Sequence, residues 1–365
     1  MTDEAIRSYL ASHRGNGVVL ALPVLYPREV LTALDLCGVE VWAHRTPPGC
    51  CTQGAGSMQP YLCPTVRGAR VLLGQGFEGA IAAVIPHTCD SMQGLAAIGL
   101  DMGASAMPVV TFRHPRGGDR ASAREFLQAE LRAFIASIER IAGRKLTMDR
   151  LGDAIELHEG IDRAMRRVLR MRTCIALGDV ELYRILRKRE WMRASDFAFE
   201  LRALEQMIDS AATPRKGIPL MVSGMVPEPS DFFEAVDAAG AYVAVDDYAA
   251  IGRRLPMHDT QEAEPIGRLI DRMMGAAPCP TRTSDPWSRV RYLVERARAA
   301  RAPGAILHTV KFCEPELFDV PVLRRGLEEA GLKVLHIETE FEPQMSGQLV
   351  TRIEAFVEML GGGDA

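Results

Sequence analysis

Short apolar runs closed by proline or glycine alternate along most of this chain with stretches whose apolar residues recur three and four apart. GVVLAL at residues 17–22 predicts a strand closed by Pro23 and Pro27, residues 29–36 carry helical spacing, and VEVWA at 39–43 predicts a second strand. AIAAVI at 80–85, PVVTF at 108–112, IPLMV at 218–222, AYVAV at 241–245 before Asp246 and Asp247, GAILHTV at 304–310 and VLHI at 334–337 predict further strands, with helical patterns between them. Strand and helix in alternation predict mostly parallel sheets covered by helices on both faces. From residue 121 to about 212 the pattern changes: Phe126, Leu127, Leu131, Phe134, Ile138 and Ile141 keep helical spacing, Gly143 and Thr147 punctuate it, and no strand is predicted. Further helices are expected over 179–190, 195–208 and 322–330. The expected architecture is α/β: an N-terminal α/β domain over 1–118, a helical domain over 119–213 and a C-terminal α/β domain over 214–365, the α/β domains being Rossmann-like or flavodoxin-like parallel sheets.

Composition narrows the class. The chain has 365 residues, 47% of them hydrophobic, which is ample core for two or three domains. A net charge of -4 without a basic face argues against nucleic-acid binding. The N-terminus shows no secretory pattern and no apolar run approaches the ~20 residues of a membrane span, so a cytoplasmic protein is expected. In a reducing compartment the eight cysteines, at 37, 50, 51, 63, 89, 174, 279 and 313, read as metal ligands, redox groups or core packing rather than as disulfides.

Position singles out three of them. Cys89, in HTCDSMQ at 87–93, follows an apolar strand and precedes a helix, at the carboxyl edge where α/β proteins bind ligands and where a helix N-terminus favours a thiolate. Cys313, in KFCEPE at 311–316, repeats that setting after the strand at 304–310, which points to two sheets facing one cleft. Cys63 precedes Pro64, a helix-opening proline. Three thiolates suit an iron–sulfur cluster with one iron open, or an open zinc site; buried packing cysteines are the plain alternative, and there is no CxxC. Cys50 and Cys51 sit in a long loop over 44–61 with three Pro and three Gly, and Cys279 sits in the APCP loop, while Cys37 and Cys174 fit helix-borne core positions.

HTCDSMQ, LCPTVRG at 62–68, KFCEPE, MVSGMVPEP at 221–229 with VAVDD at 243–247, the helical segment at 123–147 and the closing HIETEFEPQMSGQLVTRIEAFVEML at 336–360 resemble the 2-hydroxyacyl-CoA dehydratase and benzoyl-CoA reductase subunit family, over nearly the whole chain. The resemblance implies two α/β domains and a helical one, with an oxygen-sensitive [4Fe–4S] cluster at the interdomain cleft held by Cys63, Cys89 and Cys313. It implies a related second subunit in a heterodimer or heterotetramer, or a homodimer, and an ATP-hydrolysing iron–sulfur activator that delivers a low-potential electron. In dehydratases of this kind a ketyl radical anion of the acyl-CoA thioester loses water; in the reductases the electron enters an aromatic ring. Some relatives hold a double-cubane [8Fe–9S] cluster and reduce small molecules, for which Cys50, Cys51 and Cys279 are possible extra ligands, though no cysteine falls between Cys63 and Cys89; a non-catalytic electron-relay subunit is the third class. His87 and Glu314 are candidate catalytic groups near the open site, with ordering of the strand-end turn and helix-start contacts as their alternatives. Glu316 shares Glu314's position, and His308 reads as a core histidine. Asp246 and Asp247 read as helix caps or an acid/base pair, Arg352 as a phosphate contact or a solvated face, and the arginine pairs at 166–167 and 253–254 as surface charge.

Overall fold

The computed structural model describes residues 3–13, 15–42, 59, 61–101, 103, 105–210, 215–341 and 345–362. The chain forms two compact units, one of residues 1–163, 187–201 and 254–276, the other of residues 164–186, 202–253 and 277–365. In chain order the elements are α1 (Asp3–His13), β1 (Val18–Ala21), α2 (Arg28–Ala33), β2 (Cys37–Glu40), α3 (Pro64–Gln75), β3 (Ala80–Pro86), α4 (Asp90–Asp101), β4 (Val109–Phe112), α5 (Ala121–Ala142) and α6 (Met148–Arg170). There follow α7 (Asp179–Leu186), α8 (Ala194–Ser210), β5 (Ile218–Gly224), α9 (Asp231–Ala238), β6 (Ala241–Tyr248), α10 (Pro265–Met274), α11 (Pro286–Ala299), β7 (Gly304–Val310), α12 (Glu314–Glu329), β8 (Lys333–Thr339) and α13 (Gly347–Gly361). None of these helices is long and apolar enough to cross a membrane.

Each unit is built on a four-stranded parallel sheet, β2-β1-β3-β4 in the first and β6-β5-β7-β8 in the second. The two orders are the same, with the first strand of each set between the second and third. Why the strands are apolar at nearly every position is visible in the first sheet. Val18, Leu20 and Leu22 face a core with Val66, Leu72, Leu95 and Trp191, while Val19 and Ala21 face another with Leu127, Leu131, Phe134 and Leu151. A parallel sheet buried on both faces gives continuous rather than alternating hydrophobicity. In the second unit Met221, Ala305 and Leu307 pack on Val290, Leu293 and Leu327 of the covering helices.

Several boundaries differ from the expected ones, for local reasons. Cys37 opens β2 instead of ending a helix, because α2 stops at Ala33 and Asp35 turns the chain with φ 57°. Arg187–Glu190 form a separate 3-10 turn after α7. The helix expected from residue 322 begins at Glu314, with Pro315 in its first turn and Pro321 inside it. Asp246 and Asp247 are not helix caps: β6 continues through Tyr248, and both carboxylates are buried within it.

Candidate functional site

In the first unit, β3 ends at Pro86 and the chain turns through His87, Thr88 and Cys89 into α4. Cys89 is half-buried, and its sulfur accepts the Met92 N–H at 3.4 Å, in the helix's first turn. Cys63 is the residue before α3, with Pro64 at the first helical position fixing the backbone there. Both cysteines pack on the edge of the same apolar core. Burial pushes the Cys63 thiol up to about 11, the first-turn N–H groups of Val66 and Thr65 pull it down, and Cys89 lies near enough to push it up again.

In the second unit Cys313 stands where Cys89 stands in the first: after the third strand of an identically ordered sheet and before the next helix. It is half-buried and precedes α12 directly. Phe312 reaches it through a left-handed φ of 62°, a conformation costing a non-glycine residue about 1 kcal/mol or more and common at ligand-binding turns. What fixes this turn is Glu316. It is 2% exposed and takes hydrogen bonds from Arg253 Nη1 and, at 2.8 Å, from Arg289 Nη2. Arg253 also donates to Asp247 Oδ2 at 3.0 Å and to the carbonyls of Asp247 and Gly224 at 2.7 and 3.0 Å, and Arg289 to Ser223 Oγ at 3.0 Å and Asp319 at 3.2 Å. Burial would raise the Glu316 carboxyl, but the two guanidiniums win and hold it at about 2.

Arg253 and Arg254, expected as surface charge, are therefore corrected. Arg253 is 1% exposed in the network just described, and Arg254 makes two 2.9 Å bonds to the buried carboxylate of Glu40, which Arg28 also contacts. A carboxylate placed within an apolar strand must find a cation, and Glu40 and Asp247 both do. Asp246 is likewise paired with Arg172 and Tyr183. His308 is a satisfied core histidine, bonded to Tyr248 at 2.6 Å and Thr339 at 2.8 Å. Glu314 is exposed in the first turn of α12, and Arg352 donates to the His336 carbonyl at 2.6 Å. His87 is half-buried; burial and then Arg113 hold its imidazole below the ordinary range. Cys279 is buried beside Thr281 and Cys37 is buried in the first core, whereas Cys174 is half-buried in a 3-10 turn. Cys50 and Cys51 lie outside the described residues. Among the described residues no group of three or more His, Cys, Asp or Glu forms a ready metal site; Cys63 and Cys89 lie in one unit and Cys313 in the other.

The sequence profile of the family described as "2-hydroxyglutaryl-CoA dehydratase, D-component" matches residues 23–360. The chain belongs to this family. The chain is 24% identical to the beta subunit of lactoyl-CoA dehydratase of Anaerotignum propionicum, over 95% of this chain and 92% of that one. It is 22% identical to the (R)-phenyllactyl-CoA dehydratase beta subunit of Clostridium sporogenes, over 97% and 95%, and 23% identical to one of the subunits of benzoyl-CoA reductase of Thauera aromatica, over 94% and 90%. Cys63, Cys89 and Cys313 are each half-buried.

Proposed function

We propose that this chain is the iron–sulfur subunit of a radical 2-hydroxyacyl-CoA dehydratase or of a benzoyl-CoA-reductase-like enzyme, with Cys63, Cys89 and Cys313 as the protein ligands of a [4Fe–4S] cluster. The observation that carries the reading is the equivalent placement of Cys89 and Cys313, each after a third strand and at the start of a helix. Three such thiols, one with a first-turn N–H on its sulfur and one opposed by first-turn N–H groups, suit a cluster whose sulfurs need hydrogen-bond donors. When bound, the cluster supplies one-electron, low-potential chemistry to an acyl-CoA thioester.

The chain's own residues would hold and tune that group. Pro64 and Pro315 open the helices beside Cys63 and Cys313, and Glu316, locked by Arg253 and Arg289, would hold the α12 turn that carries Cys313. His87, two residues before Cys89, and Glu314, directly after Cys313, are assigned proton handling near the site. A related second subunit is expected, as each of these relatives is itself named as one subunit of a larger enzyme, and an ATP-hydrolysing activator is expected as electron donor.

The test is reconstitution. Anaerobic co-expression with the neighbouring subunit, followed by addition of activator, ATP and a 2-hydroxyacyl-CoA, should give the 2-enoyl-CoA in an ATP-dependent reaction. Reduction of small molecules with no turnover of any acyl-CoA would overturn the reading and favour a double-cubane reductase.

A further inference from the structure

The first unit contains an open hollow of about 680 Å³, of whose lining residues His87 alone has been given a role above. Its floor is the carboxyl edge of β3 and β4, where His87 and Arg113 follow the strands, and its walls are the first turns of α4 and α5. That is the edge at which parallel sheets bind ligands, and the volume lies within the ~300–1,000 Å³ usual for ligand pockets.

The sign of the hollow is positive. Arg113, Arg116 and Arg120 all line it, while Asp90 is the lining carboxylate and approaches Arg116 only to 3.9 Å. Glu130 takes part of Arg113's charge at 3.4 Å. Arg120 donates to Ser122 Oγ at 3.2 Å and to the carbonyls of Arg116 and Gly118 at 3.4 and 3.5 Å, neutral acceptors that leave its charge uncompensated among the described residues. Helix α5, 22 residues long, opens on this hollow with no side-chain cap and no acidic residue in its first turn, so its N-terminal N–H groups add to the field.

Two further features point to a ligand that is more than an anion. His87 lines the hollow and keeps its Nε2 buried without a hydrogen-bond partner, a polar atom that a turn of the ring would bring to a ligand. Phe126, 43% exposed on the wall, offers an apolar ring face.

We propose that this hollow binds the phosphate-bearing nucleotide end of an acyl-CoA, with Arg113, Arg116 and Arg120 on the phosphates and Phe126 against the adenine. The assignment rests on the acyl-CoA reading given above. A concave, cationic surface with one aromatic wall suits phosphates joined to a flat base, whereas a protein partner would meet a flatter face.

The experiment is calorimetric titration of the full-length, anaerobically purified chain with CoA, adenosine 3′,5′-bisphosphate and pyrophosphate. Arg116→Ala and Arg120→Ala should each weaken CoA binding about ten-fold, the charge-assisted hydrogen bonds being the strong ones. Phe126→Ala should weaken CoA and the bisphosphate but leave pyrophosphate unchanged. Circular dichroism confirms folding, and the substituted side chains lie on the surface of the hollow. Unchanged CoA affinity in Arg116→Ala/Arg120→Ala overturns the proposal, as does pyrophosphate binding as tightly as CoA. If the chain binds CoA through these arginines but the reconstituted system dehydrates no 2-hydroxyacyl-CoA, the site stands and the reaction assignment fails. If it dehydrates with an unchanged KM in the double variant, the reaction stands and the site fails.

Discussion

Replacing Arg253 by Met should loosen the second unit around Cys313 more than any surface change can. Its guanidinium serves Glu316, Asp247 Oδ2 and the carbonyls of Asp247 and Gly224, all buried. Met fills much of the volume but donates nothing, so two carboxylates lose charge partners in a dry interior, with Arg289 left as their nearby cation. Removing one partner from a buried ion pair costs about 3–5 kcal/mol. Hydrogen exchange read peptide by peptide is the assay, because the loss should concentrate in β5, β6 and the first turns of α12. At ~1.4 kcal/mol per factor of ten, protection there should fall by roughly two to three and a half powers of ten. Arg324→Ala removes an exposed pair with Glu328 at 2.9 Å and should change protection little, since such pairs are worth about 0–1 kcal/mol. A loss under ten-fold in Arg253→Met, or an equal loss in Arg324→Ala, would refute the view that this network holds the α12 turn.

Stability should also depend on acid in a defined window. Glu40 and Glu316 sit near 2 in the folded chain against an ordinary 4.5, so the unfolded chain binds more protons between those values. Their contribution, on the order of a few kcal/mol, is present above about pH 4.5 and lost as pH falls toward 2; Glu316→Gln should flatten the profile, and no change in unfolding free energy between pH 5 and 3 would contradict it. Gly224→Ala should be severe, costing more than ~2 kcal/mol by thermal unfolding, because a Cβ there would overlap the backbone carbonyl of His308 on the paired strand; a wild-type Tm would show that the strands can part cheaply. Cys63→Ala, Cys89→Ala and Cys313→Ala should each lose most bound iron by colorimetric assay while Cys37→Ala and Cys174→Ala retain it, and near-wild-type iron in Cys89→Ala would remove that ligand.

The elements that organise the fold are legible because their chemistry is local. A parallel strand buried on both faces shows as an unbroken apolar run, as in AIAAVI before Cys89, and Pro64 marks the start of α3. The pattern misplaces α12: the helix expected over 322–330 begins at Glu314 and carries Pro321 inside it. The ion-pair networks are hidden for a different reason. Arg253 meets Glu316 across 63 residues and Arg254 meets Glu40 across 214, distances over which charge pattern carries no information. A signal does exist in the strands themselves, where Glu40 and Asp247 interrupt or end apolar runs and so require buried cations somewhere. The hollow escapes notice because Arg113, Arg116 and Arg120 converge only through a turn with Gly117 at φ 87° and the start of α5.

Whether Cys63, Cys89 and Cys313 hold a single open cubane is decided most directly by anomalous diffraction at the iron edge from anaerobically grown crystals. Four iron positions per chain are expected, three of them each within bonding distance, ~2.3 Å by analogy with other metal–thiolate bonds, of one of these sulfurs, and a fourth with no cysteine. Eight iron positions with Cys50 or Cys51 as a ligand, or a signal at the zinc edge in place of iron, would contradict it.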